Sequence, residues 1–228
     1  MAATALVLTW YHPAVDAVAG YADWLRMVHV PEGVRLIEGV EAGRLFELDE
    51  QRPVMTDPLA FPLFSMYEFT DDPELIFERA RSVERQAWGG GPVYCRTLIQ
   101  KPVGARHGST AGGDLILVEL NRYPDDLRKA IVAYQQSSWM PQALQLAGLL
   151  AAQRYEKHHL DHPSVPFSAP FQHHDVIIWE LENDGRGWLD ARRAAGLESG
   201  IPSSQLSEAD GTRAALSERR SGMYRRLK

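Results

Sequence analysis

Residues Ile37–Glu47 read IEGVEAGRLFE, and residues Leu146–Glu156 read LAGLLAAQRYE. The stretches align at an offset of 109, with Gly39 opposite Gly148 and Glu47 opposite Glu156. Each reads as a helix end, a glycine turn and a short strand. Working outward, ALVLTWY from Ala5 matches LILVELN from Leu115 at an offset of 110, and FSMYEF from Phe64 matches VIIWEL from Val176 at 112. VYCRTL from Val93 matches MYRRLK from Met223 at 130. The order is the same in both halves: strand, helix, strand, strand, helix, strand. That is the split βαβ, or ferredoxin-like, order. The first half's helices are expected at about Ala14–Glu38, broken near Pro31, and at Pro73–Trp88; the second half's at Asp125–Ala147 and Gly187–Ala195.

These matches divide the chain into a first half (residues 1–103), a linker (104–113) reading GARHGSTAGG, and a second half (114–228). A lone four-stranded sheet of this kind covers one face with its helices and leaves the other bare. Two such sheets stacked bare face to bare face solve the burial problem. The expected class is therefore α+β, with two tandem ferredoxin-like halves closing a barrel within one chain. The connections DEQRPVMTDPLAFP and KHHLDHPSVPFSAPFQ join the second and third strands of each half and are expected to form rims.

Composition narrows the function. The chain has 228 residues, 45% hydrophobic and 24% charged, with a formal charge of −6. That charge comes without a basic run in the first two hundred residues, which argues against nucleic acid or an anionic membrane as partner. The one cysteine, Cys95, rules out an intrachain disulfide, and the apolar stretch near the start is far too short to span a bilayer. A cytoplasmic location follows as the expectation. A small molecule is the expected partner, and further homodimerisation is compatible with the fold without being needed to close the barrel.

Candidate site residues come from face and spacing. If Leu6, Leu8 and Trp10 pack under helices, then Thr9 and Tyr11 face the lumen, as do their equivalents Glu119 and Asn121. Tyr94 shares a face with Arg96, and Tyr224 with Arg226, giving a polar lumen suited to a small oxygenated or aromatic ligand. His29 follows Trp24 and precedes Pro31, at an expected kink from which an imidazole reaches the cavity mouth. It needs little perturbation to act as acid or base near neutrality. His158, His159, Asp161, His162, His173 and His174 are metal-ligand types, but Pro163, Pro166 and Pro170 place them in a loop, and no metal is expected. Cys95 lies mid-strand with no basic helix terminus to activate it.

Trp24, His29 and Pro31, followed by Gly39 and GRLFE, resemble the W…H.P…G…RY pattern of EthD-like proteins in the dimeric α/β-barrel superfamily. The second half keeps MPQALQLAGLLAAQRYE but sets Trp139 opposite His29. QHHDVIIWEL is also similar to the histidine-bearing run into the third strand of the superfamily's polyketide cyclases, which implies a catalytic role for His174. The resemblance implies a small-molecule enzyme of isomerase, cyclase or lyase type, working by acid/base chemistry without a cofactor on an aromatic, polyketide-like or lactone substrate. His29, His174 and Tyr11 are the expected catalytic residues. Asn121, Glu119, Tyr94, Arg96 and Trp24 are expected to bind substrate. The alternatives are a cofactor-independent monooxygenase, and a binding or stress-related protein without turnover.

Overall fold

The computed structural model describes residues 3–50, 57–108, 113–157, 175–182, 185–198, 200–201 and 218–228. The first half contributes strands β1 (Ala5–Pro13), β2 (Val40–Leu48), β4 (Leu63–Phe69) and β5 (Val93–Gly108). The second contributes β6 (Leu115–Arg122), β7 (Leu149–Lys157), β8 (Asp175–Leu181) and β9 (Glu218–Arg226). These strands form one antiparallel barrel in the order β2-β4-β1-β5-β7-β8-β6-β9, closed where β9 pairs with β2. A two-residue strand, β3 (Asp57–Pro58), runs parallel to β9 outside this circuit.

The middle of the barrel interior is an apolar core, and polar side chains of the inner face gather toward one end, where Arg44 pairs with Glu68 and Arg106 with Glu180. Leu6, Leu8, Trp10, Phe46 and Phe64 from one half pack with Ile116, Val118, Leu120, Ile178 and Tyr224 from the other. Burying each such side chain contributes about 1.5–3 kcal/mol, which drives the two sheets together. This corrects the expected facing of β1. Leu6, Leu8 and Trp10 point into the barrel, so Thr9 and Tyr11 lie beneath the helices, as do Glu119 and Asn121 on β6. Alternation divides a strand into two faces without saying which is inner. The wholly apolar face of β1 goes inward, where it packs with the apolar residues of the second half.

The strand registers repeat. Thr9 pairs with Ser65, and its counterpart Glu119 pairs with Ile177. β2 and β7 each shift register at the matching point, between Val40 and Ala42 and between Leu149 and Ala151. Gly39 (φ 91°) and Gly148 (φ 90°) make the same left-handed turn into these strands. Each carbonyl accepts an N–H at 2.9 Å, from Thr70 and Glu182 respectively. The last strands align differently from the sequence expectation. Leu6 pairs with Gln100 and Ile116 with Tyr224, which sets Tyr224 opposite Gln100 at an offset of 124 instead of 130. β5 also continues through Gly104–Gly108, where it pairs with β7, because the seam between sheets must satisfy its backbone groups.

The first helix of each half is interrupted, though not at its proline. α1 (Val18–Trp24) passes through a π-helical turn, Leu25–His29, into α2 (Val30–Leu36). α4 (Asp125–Tyr134) passes through Gln135–Trp139 into α5 (Met140–Ala143) in the same way. The Val30 N–H reaches back to the Leu25 carbonyl, and the Met140 N–H to the Gln135 carbonyl. Pro31 and Pro141 follow immediately. A proline lacks an N–H and its ring crowds the preceding turn, so widening that turn relieves the clash without ending the helix. The extra residue rotates later side chains by roughly 100° about the axis. α3 (Pro73–Ser82) is capped by Asp72, whose carboxylate accepts the Glu74 N–H at 2.8 Å, and stops short of Trp88. α6 (Arg186–Ala194) is its counterpart. Among the described residues no helix is long and apolar enough to cross a membrane.

Candidate active site

Each half has a space between the outer face of its sheet and its helices, and the sequence treats the two spaces in opposite ways. In the second half the space is filled. Trp139 packs edge-on against Trp179, with ring centroids 5.5 Å apart, and Trp179 lies 5.1 Å from Trp188. The Arg192 guanidinium sits among all three rings, 4.9, 5.2 and 5.1 Å from their centroids. It pairs with buried Glu119 at 2.9 Å, and the Trp179 indole N–H donates to the same carboxylate at 2.6 Å.

In the first half, strand register and the shared π-turn set Thr9, Tyr67 and His29 where the second half has Glu119, Trp179 and Trp139. α3 presents Ile76, Phe77 and Ala80 to the same space, and α6 presents Trp188, Leu189 and Arg192. The smaller set leaves a cavity of about 470 Å³ under the helices.

One wall of this cavity is aromatic. His29 stacks on Trp24, with centroids 4.9 Å apart and planes at 30°, and meets Tyr67 edge-on at 6.4 Å. Tyr21 lies against Trp24 at 5.4 Å, and Trp88 folds back onto Tyr21 at 5.2 Å. The floor carries two hydroxyl pairs: Tyr11 with Ser65 at 2.8 Å and Thr9 with Thr97 at 3.1 Å. Among the described residues the Tyr67 hydroxyl is buried without a hydrogen-bond partner. Val7, Ile37, Val40 and Phe69 make the remainder apolar, and Arg81 and Arg85 bring positive charge to the rim.

The electrostatics follow from this burial. Desolvation first, and the Arg85 guanidinium second, push the His29 imidazole down from its ordinary 6.5 to about 4, so the ring is neutral at pH 7. Desolvation lifts Tyr11 to about 12, against the opposing effect of its bond to Ser65. Tyr21 and Tyr67 are raised further, again chiefly by burial. Burial likewise raises the Cys95 thiol, which lines the cavity as a thiol and not a thiolate. The site therefore presents a neutral imidazole acceptor beside protonated phenol donors.

Of the residues singled out from sequence, the structure brings His29, Tyr11 and Trp24 together in this aromatic cluster. Glu119 and Asn121 lie in the second half, under its own helices, where Glu119 binds Arg192 and Asn121 accepts from Arg219 at 3.2 Å. Tyr94 and Arg96 share the inner face as expected. They lie at the barrel mouth, where the Arg96 Nε donates to the Tyr94 hydroxyl at 2.7 Å and Tyr94 stacks over Phe61. Tyr224 belongs to the apolar barrel core and does not line a polar lumen. His174, with the rest of the 158–174 segment, lies outside the described residues. Sequence reasoning missed Tyr67, Tyr21, Trp88 and Arg85. Tyr67 was within reach, since FSMYEF alternates and Tyr67 pairs with Val7 on the face that carries Thr9 and Tyr11. Among the described residues, no group of three or more His, Cys, Asp or Glu side chains is placed to hold a metal ion.

No protein-family profile and no curated protein matches the sequence. Solved structures do match its shape. An anthrone oxidase-like protein superposes with a TM-score of 0.57 at 10% identity, over 98% of this chain and 91% of its own. A putative monooxygenase from Fusobacterium nucleatum gives 0.54 at 9% identity, over 100% and 94%. A monooxygenase-like protein from Listeria innocua gives 0.51 at 11% identity, over 99% and 95%. The chain has the dimeric α/β-barrel fold. At these identities the likeness is one of fold, so what the cavity does has to be argued from its own residues.

Proposed function

We propose that this chain is a small-molecule enzyme whose first-half cavity takes a proton from a flat, enolisable aromatic or polyketide-like substrate, and that the resulting carbanion reacts directly with O₂, as in a cofactor-independent monooxygenase. The observation that carries the reading is the contrast between halves: one space is packed shut, while its counterpart stays open around a desolvated, neutral histidine. His29 accepts the proton. Tyr67, protonated and without a partner among the described residues, donates to the oxygen on which the negative charge gathers. Tyr21 and His29, backed by Trp24 and Trp88, face the ring. For a ring methylene the balance is R₂CH₂ + O₂ → R₂C=O + H₂O, with one oxygen atom forming the carbonyl and the other leaving with both substrate hydrogens. The carbanion supplies the electrons, so no separate reductant is needed.

The names of the similar structures, anthrone oxidase-like and monooxygenase-like, support this reading over isomerisation, cyclisation or lyase chemistry, which share only the proton step. The same proposal takes the two halves as fused copies of one EthD-like unit, the first keeping the site and the second giving it up. The test is oxygen uptake with 1,8-dihydroxyanthrone and 1,4-dihydroxynaphthalene, with ¹⁸O₂ and mass spectrometry of the product. One labelled oxygen per turnover, lost in a folded His29→Gln variant, is the expected result. Turnover without oxygen uptake supports the isomerase reading instead, and full activity in His29→Gln overturns both.

A further inference from the structure

One cation at the first-half cavity has no counter-charge: Arg85 lines it and makes no ion pair among the described residues. The described lining holds no Asp or Glu, and its histidine is uncharged at pH 7. The second half shows how this fold balances a cation in the same space. There Arg192 is surrounded by indole rings and neutralised by Glu119, which rises from the barrel strand at the position that Thr9 holds in the first half. The first half has Arg85 at the equivalent space and a threonine where the carboxylate would be.

We infer that the ligand of the first-half cavity brings the negative charge that Arg85 lacks: it is a planar aromatic anion, its ring against His29 and its acidic group at Arg85. This inference rests on the reading of the cavity as the functional site and adds the substrate's charge. Three features agree with it. The His29 ring, held by its stack on Trp24, turns its edge or free face to the cavity beside the Tyr21 and Tyr67 rings, a lining suited to another flat ring. The Tyr67 hydroxyl and the Thr9–Thr97 pair supply polar groups along the floor. The half-buried position of Arg85 makes a guanidinium–carboxylate bond stronger than an exposed pair, while leaving a path for the ligand to enter.

Two probes of one shape and different charge test it: 2-naphthoate and the neutral 2-naphthamide, titrated into the full chain at pH 7.5 by quenching of tryptophan fluorescence. Naphthoate is expected to bind at least about tenfold more tightly, the scale of one charge-assisted hydrogen bond. Arg85→Gln should remove that preference while leaving naphthamide affinity within about twofold. Ile76→Trp, which copies the second half's plug, should abolish binding of both. Equal affinity of the two probes in the unaltered chain, or an undiminished preference in Arg85→Gln, overturns the inference and leaves the cavity reading standing. Binding that survives Ile76→Trp, or no binding of either probe, overturns the cavity reading and this inference with it.

Discussion

His29 and Trp139 close the same π-helical turn, each followed by a valine or methionine and then a proline, yet one ring lines a cavity and the other fills one. Trp139 is fully buried and its indole N–H donates to the Leu197 carbonyl at 2.6 Å. His29 has an aromatic ring on one side and open space on the other. Trp139→Ala should therefore cost about 3–5 kcal/mol, from the lost burial and the void left behind. His29→Ala should cost no more than about 1.5 kcal/mol, because it enlarges a cavity that already exists. Urea melts of the two variants beside the unaltered chain measure both, and equal losses would contradict the division of labour between the halves.

The depressed basicity of His29 sets a pH dependence with a definite sign. In the unfolded chain the imidazole titrates near 6.5, and in the folded chain near 4. Between those values the unfolded state binds more protons, so stability rises with pH. The contribution is fully present above about pH 6.5 and is lost as pH falls toward 4, by at most about 3 kcal/mol and less for the ring's residual exposure. The expected result is that the stability difference between the unaltered chain and His29→Gln shrinks or reverses between about pH 7.5 and 4.5. A histidine proton resonance absent from the His29→Gln spectrum should titrate well below 6. Arg85→Gln should move that midpoint upward, since Arg85 is the second cause of the depression.

How far the sequence carried can be read from the same residues. The repeated order of elements, the matched turns at Gly39 and Gly148 and the pairing of His29 with Trp139 were legible because local patterns and spacing encode them. The facing of β1 was not. Leu6-Leu8-Trp10 and Val7-Thr9-Tyr11 are both mostly apolar, and only closure of the barrel decides which set goes inside. That one inversion carried Glu119 and Asn121 to the wrong side and hid Tyr67. The offset of the last strands failed for another reason. A Tyr-x-Arg coincidence in VYCRTL and MYRRLK outweighed the register, which long-range pairing sets and a short motif cannot. The Arg192–Glu119 pair was illegible altogether, since its members stand 73 residues apart.

That pair makes a prediction of its own. Arg192 and Glu119 are both buried, and burial works to lower the basicity of Arg192 against the pull of the carboxylate. Arg192→Met should strand Glu119 in the core with only the Trp179 N–H and Arg219, 3.5 Å away, as partners, at a cost of about 3–5 kcal/mol. Adding Glu119→Gln removes the stranded charge while keeping an acceptor for the indole, and the double variant should recover more than half of the loss. Thermal melts of both variants decide it. Additive losses would show that the two residues do not act as a unit.

Tyr67 and Tyr11 face one cavity with opposite hydrogen-bond accounts, which separates function from stability. The Tyr11 hydroxyl is bonded to Ser65, so Tyr11→Phe leaves a buried serine hydroxyl unmatched and should cost about 1–2 kcal/mol. The Tyr67 hydroxyl is buried with no partner among the described residues, a standing penalty within the folded chain. Tyr67→Phe removes that penalty at no loss of ring packing and should leave stability unchanged or raise it by up to about 1 kcal/mol. A residue kept at such a cost is expected to serve the ligand. Turnover of the dihydroxyanthrone probe should accordingly fall about 100-fold in Tyr67→Phe, the scale of one lost donor to a developing oxyanion. Chemical melts and oxygen uptake on the same preparations test both halves of the argument. A Tyr67→Phe protein that is less stable and equally active would mean that the hydroxyl serves packing alone.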